Sequence, residues 1–105
     1  MVFIETSIFT KRISSLLSDD EYRDVQMDLI LQPDKGSLIR GSNGLRKLRC
    51  KSPGKGKRGG ARLIYYWIRS KDRIHFLFAY QKNEMEDLTK EEIKKLSQII
   101  EKELP

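Results

Sequence analysis

Residues 44 to 69 constrain the fold more than any other stretch, because two strand-like segments there flank a connection that can extend neither of them. From Leu45 to Lys51 the residues alternate, so that Lys47, Arg49 and Lys51 point one way and Arg46, Leu48 and Cys50 the other. One face of that strand is a row of cations. From Ala61 to Arg69 the chain is rich in β-branched and aromatic residues (Ile64, Tyr65, Tyr66, Trp67, Ile68) and reads as a well-buried strand that begins with Arg62. Between them, Ser52 to Gly60 contains Pro53 and four glycines, which prevent helix or ladder formation. Lys55, Lys57 and Arg58 add three more positive charges to that backbone.

The cationic row belongs to a larger segregation of charge. Residues 1 to 34 hold three Lys/Arg and seven Asp/Glu, and residues 83 to 105 hold four and seven. Residues 35 to 82 hold fourteen Lys/Arg against the single acid Asp72, a local net of +13 inside a chain whose total is +6. A solvated charged surface accounts for a short run of like charge, but not for 48 residues with one acid. Such a chain has a basic face and an acidic back, and the basic face calls for a polyanion.

At 105 residues the chain is expected to be one domain, residues 1 to 105, with a modest core. The only cysteine, Cys50, rules out an intramolecular disulfide, and one His with one Cys cannot supply the ligands of a zinc site. Cys50 lies on the apolar side of its strand and reads as a buried thiol. The start, MVFIET, lacks the basic and apolar regions of a signal peptide, and no run approaches the roughly 20 apolar residues that span a bilayer. A soluble, cytoplasmic protein is expected.

Taken in order, Val2 to Glu5 reads as a short strand. Thr6 or Ser7 can cap a helix carrying Ile8, Phe9, Ile13, Leu16 and Leu17, and Ser18 with Glu21 forms a capping box for a second helix with Tyr22, Val25, Gln26, Leu29 and Ile30 on one face. The acids Asp19, Asp20, Glu21 and Asp24 suit the dipole at that helix start and are not read as an acidic active site. Pro33 to Gly44 is turn-rich, with Leu38-Ile39 either a brief strand or a plug of the core. After the strand at 61 to 69, Asp72 turns the chain into Arg73 to Tyr80, with Ile74, Phe76, Phe78 and Tyr80 on one side and His75 with Arg73 on the other. Thr89 and Glu92 form a second capping box before a terminal helix with Ile93, Leu96, Ile99, Ile100 and Leu104. The order β-α-α-β-β-β-α is that of an α+β domain with a largely antiparallel sheet.

Gly54 to Gly59, GKGKRG, matches the dinucleotide pattern G-x-G-x-x-G in letters only. That motif opens a helix, whereas a β-rich strand follows here. No nucleophile-base assembly and no pair of acids falls in the basic block. His75 reads as structural, its ordinary pKa near neutrality being the one argument for catalysis.

The run GLRKLRCKSPGKGKRGGARLIYYW, the strand IHFLFAY and the segment QKNEMEDLT before the last helix resemble the HigB-like branch of the RelE toxin superfamily, the toxins of bacterial type II toxin-antitoxin systems. The resemblance implies a small RelE-like α+β domain with an N-terminal helical hairpin and a C-terminal helix. It implies a metal-independent, cofactor-free endoribonuclease that enters the ribosomal A site and cuts translated mRNA. It also implies a cognate antitoxin partner, and contact with operator DNA only through the antitoxin complex. By position, the family's strand cations correspond to Lys47 and Arg49, with Lys51 beside them, and its strand-opening arginine to Arg62. The family's later arginine and tyrosine have no match, since Lys82 is followed by Asn83 and Leu88 stands near the tyrosine's place. Either Lys57 and Arg58 supply the missing groups, or Lys82, Tyr66 or Tyr80 does.

Metal-independent cleavage of RNA makes the ribose 2′-OH attack its own phosphate, leaving a 2′,3′-cyclic phosphate and a 5′-OH. One group takes the 2′ proton, another holds the phosphorane, and a third protonates the leaving oxygen. Arg62 and Arg49 suit the phosphorane because guanidinium stays charged and offers a planar fork. Lys47 or Lys57, crowded among like charges, suits proton transfer, and Lys82 completes the catalytic candidates. Arg46, Lys51, Lys55, Arg58, Arg69 and Arg73 are expected to touch RNA or ribosome. A non-catalytic RNA- or DNA-binding domain acting with a partner protein would use the same cations.

Overall fold

A computed structural model describes residues 1–50, 60–85 and 87–103. Lys51, Lys55, Lys57, Arg58 and Leu104, all named above, lie outside these residues, as does most of the Ser52 to Gly60 connection. The described elements are β1 (Val2–Glu5), α1 (Ser7–Leu16), α2 (Asp19–Leu31), β2 (Ser37–Leu38), β3 (Arg46–Cys50), β4 (Ala61–Ile68), a 3-10 turn (Arg69–Lys71), β5 (Arg73–Gln81) and α3 (Lys90–Glu101). This corrects the expected order by one strand, since Ser37 and Leu38 pair with Lys47 and Arg46. The sheet runs β1-β5-β4-β3-β2. It is antiparallel except where β1 lies parallel to β5.

Local chemistry starts each helix where the sequence places it. Thr6 caps α1, its hydroxyl oxygen accepting from the Phe9 amide at 3.1 Å. At α2 the Glu21 amide reaches Ser18 Oγ at 3.1 Å while the Ser18 amide reaches Glu21 Oε1 at 2.7 Å. Thr89 and Glu92 repeat that reciprocal pair before α3, at 3.1 and 2.8 Å. Each cap satisfies helix donors that would otherwise be orphaned, a contribution of about 1 kcal/mol. Asp72 turns the chain between β4 and β5 with φ +49°, in the left-handed region that Asp tolerates.

Two cores lie on opposite faces of the sheet. On one, α1 and α2 set Phe9, Ile13, Leu16, Val25 and Leu29 against Leu48, Leu63, Tyr65, Ile74 and Phe76. On the other, Leu88 and Leu96 cover Leu45, Ile64, Leu77 and Tyr80. Tyr65 ties the turn after α2 to the sheet, its hydroxyl donating to Pro33 O at 2.7 Å and accepting from the Gly36 amide at 2.9 Å. Gly36 is required there: a Cβ would stand 2.7 Å from the Tyr65 ring and 3.0 Å from the Lys47 carbonyl. The helix α3 is pinned by Ser97, whose hydroxyl donates to Ser42 O at 2.8 Å. No helix among the described residues is long and apolar enough to cross a membrane.

A β-bulge overturns the expected facing of β5. Tyr65 pairs with Phe76 but Ile64 pairs with Phe78, so Leu77 is an extra residue in the ladder. Ile74 and Phe76 therefore face the helical hairpin, while Phe78 and Tyr80 face α3. Beyond the bulge α1 takes over from β1 along this edge. Thr6 Oγ1 donates to Leu77 O at 2.8 Å, and Arg12 Nε donates to Ala79 O. These carbonyls lie past the reach of β1, and buried carbonyls need partners.

Candidate functional site

The pairing register builds one row across three strands on the α3 side of the sheet. Arg49 on β3 stands opposite Arg62 on β4, and Arg62 stands opposite Tyr80 on β5. Lys47 lies two residues along from Arg49 on the same side. Burial grades along the row: Arg49 is exposed, Arg62 is 6% exposed and Tyr80 is fully buried. The register thus sets two guanidinium-bearing residues at neighbouring positions of one sheet face.

Beside the row, a cleft of about 570 Å³ opens between the β2 edge and α3, lined by Lys35, Arg40, Lys47, Arg49, Asp87 and Ile93 among others. Asp87 is the acid among the described residues of this lining, its Oδ1 3.5 Å from Lys47 Nζ. Burial raises the Tyr80 hydroxyl pKa, Asp87 raises it further, and Arg62 works against them. Tyr80 thus stays protonated and can only donate or accept through a neutral hydroxyl. On the opposite face Cys50 is buried and its pKa is pushed up to about 12, chiefly by desolvation, so the thiol is inert as expected.

A family model for the RelE toxin of the RelE/RelB toxin-antitoxin system matches residues 30–104. The chain belongs to the RelE toxin family. Among solved structures it is similar to an arginine double mutant of the E. coli toxin RelE in the free state, with TM-score 0.64 and 15% identity over 94% of this chain and 95% of that one. It is also similar to a chain of the intact E. coli RelBE toxin-antitoxin complex, with TM-score 0.59 and 17% identity over 76% of this chain and 94% of that one. At these identities the likeness is one of fold: an α+β domain with three helices and a mostly antiparallel five-stranded sheet.

Within this RelE-family fold the sequence candidates divide by place. Lys47, Arg49 and Arg62 share one face of β3 and β4. Lys82 is exposed in the turn after β5, and its amide donates to Gly60 O at 3.4 Å, which sets it at the Arg62 end of the sheet. Arg46 faces away from the row and spends its guanidinium on Asp34 O at 3.2 Å and Gly36 O at 2.8 Å, holding the turn before β2. Arg69 lies over the Trp67 ring at 5.5 Å. With Arg73 it occupies the far end of β4 and β5, roughly 20 Å from Arg62 at strand spacing. Lys35, Arg40 and Asp87 line the cleft without having been singled out in the sequence. Lys35 and Arg40 fall in the basic block, but nothing in their spacing links them to Lys47.

His75 is not in the row. It pairs with Tyr66, four residues along β4 from Arg62, and is 5% exposed with Nε2 lacking a hydrogen-bond partner among the described residues. Burial lowers its pKa below 6.5, Arg73 and Lys71 lower it further, and Glu103 opposes them. A neutral buried imidazole makes the unfolded chain the better proton binder below about pH 6.5. Stability should therefore fall as pH drops from about 6.5, and His75→Phe should flatten that slope in denaturant titrations between about pH 5 and 7. An unchanged slope would assign the acid sensitivity to the carboxylates.

Proposed function

We propose that this protein is the toxin of a bacterial type II toxin-antitoxin system, of the HigB-like branch, and that it cleaves translated mRNA in the ribosomal A site. The observation that carries the reading is the cross-strand alignment of Arg49 with Arg62, with Lys47 beside them, on one sheet face. RNA brings a phosphate to that row. Arg62, held by a buried strand, stabilises the phosphorane with a charge that needs little reorganisation, and Arg49 supports it from the exposed side. Lys47 takes or delivers the proton of the 2′-OH reaction, with Lys57 or Lys82 as its counterpart. Arg40 and Lys35 extend the positive surface along the cleft and position backbone phosphate.

The partner that silences such a toxin is a cognate antitoxin that covers this face, and operator DNA is reached only through the complex. The site of action is the bacterial cytoplasm. Induced expression should arrest growth and fragment translated mRNA, and mapping the cut ends gives the 2′,3′-cyclic phosphate predicted for 2′-OH attack. Growth arrest without cut ends would favour a basic RNA-binding domain that blocks translation without chemistry.

Binding should be strongly salt-dependent, because cations that neutralise phosphates release counterions. A face engaging about six phosphates loses roughly a thousandfold in affinity between about 50 and 200 mM salt. Ribosome or RNA affinity that hardly moves over this range would remove the electrostatic basis of the proposal.

A further inference from the structure

We propose that Tyr80 belongs to the phosphate-holding set, its hydroxyl donating to the phosphate that Arg62 holds; the assignment rests on the RNA-cleaving reading of this face. Tyr80 is fully buried, and its hydroxyl has no hydrogen-bond partner among the described residues. A tyrosine hydroxyl taken out of water almost always finds a partner, and phenylalanine would fill the same space without leaving an orphan. The hydroxyl is thus retained at a cost in stability.

Three features say where its missing partner comes from. Tyr80 is the ladder partner of Arg62, itself the partner of Arg49, so the residue ends the row that carries the two arginines, and Arg62 acts electrostatically on its hydroxyl. The bulge at Leu77 is what brings it there: with unbroken alternation Tyr80 would share the side of Ile74 and Phe76, in the hairpin core. The charged groups that act on it are Arg62, Asp87 and Glu92, and burial with the two carboxylates keeps it protonated, which makes it a donor. It cannot serve as a general base.

The Asp87–Leu88 segment closes this end of the site. Leu88 packs in the cluster that contains Tyr80, and Asp87 offers a carboxylate to Lys47 where a phosphate oxygen would bind. Asp87 is 67% exposed, and an ion pair so open to water adds little to holding the segment down. Phosphate on Lys47 and Arg62 takes the place of the Asp87 carboxylate on Lys47, releases Asp87 to water and satisfies Tyr80.

The test compares the parent, Tyr80→Phe and Asp87→Asn by thermal unfolding with and without inorganic phosphate, and by cleavage of mRNA on ribosomes. Tyr80→Phe should unfold at about 4 °C or more above the parent in phosphate-free buffer, because an unsatisfied hydroxyl is gone. Its phosphate-induced rise in melting temperature should be smaller than the parent's, and its cleavage slower by about tenfold to a hundredfold. Asp87→Asn should bind phosphate more tightly. A Tyr80→Phe protein that is stabilised, cleaves at the parent rate and gains as much from phosphate would overturn the assignment. If the parent itself cuts no mRNA, the proposed function fails, while the phosphate arm still decides for or against Tyr80.

Discussion

Arg62→Ala should slow mRNA cleavage by about a hundred- to a thousandfold, abolishing growth arrest while ribosome binding persists. The magnitude follows from where the guanidinium is held. Arg62 sits at the start of the most apolar strand, 6% exposed, between Arg49 on β3 and Tyr80 on β5. A charge fixed by packing stabilises a phosphorane without reorganising, and losing one such preorganised donor costs roughly 3 to 4 kcal/mol in the transition state. Arg62→Lys keeps the charge but loses the planar fork, so it should recover only part of the rate. Lys55→Ala removes a charge that at most touches backbone phosphate and should leave the protein toxic, with the loss confined to binding. Circular dichroism and ribosome co-sedimentation separate chemistry from misfolding in each variant. Cleavage by folded Arg62→Ala at close to the parent rate would remove the site from this strand.

What could be read from the sequence was what local chemistry decides. The caps at Thr6, Ser18 and Thr89 need only residues within one turn, and all three form. Alternation within β3 separated Lys47 and Arg49 from Leu48 and Cys50, and the register then sets Arg49 against Arg62. What could not be read is non-local. The bulge that turns Phe78 and Tyr80 towards α3 depends on how β5 aligns with β4, and the period of two along IHFLFAY points to the wrong face. The two-residue β2 exists only through its pairing with β3. Asp87 approaches Lys47 from 40 residues away, and no spacing in the chain announces that contact. Arg46 donates through Nη1 to two backbone carbonyls of the turn before β2, a contact that its charge does not announce.

Phe76→Ala is expected to be the most damaging single change to the fold. Phe76 is fully buried and stacks on Phe9 at 4.8 Å and on Phe3 at 5.7 Å, with Tyr22 edge-on at 5.7 Å and Tyr65 at 6.4 Å. It joins β1, α1, α2 and β4 through one ring, so truncation leaves a cavity that no single neighbour can fill. Such losses cost about 3 to 5 kcal/mol, a large share of the roughly 5 to 15 kcal/mol that holds a domain folded. The melting temperature should fall by about 12 to 20 °C, at about 4 °C per kcal/mol for a chain of this size. Leu31→Ala, at a position 83% exposed, should change stability by no more than about 0.5 kcal/mol. Phe76 is also the last residue before the bulge, so its burial against the hairpin fixes the register from which Tyr80 is turned to the other face. If the row of Arg49, Arg62 and Tyr80 carries the chemistry, Phe76→Ala should lose cleavage in parallel with folded protein on heating. The fraction that remains folded in the cold should cut at nearly the parent rate. A folded variant that is inactive in the cold would mean that the aromatic cluster sets the geometry of the row as well as its stability.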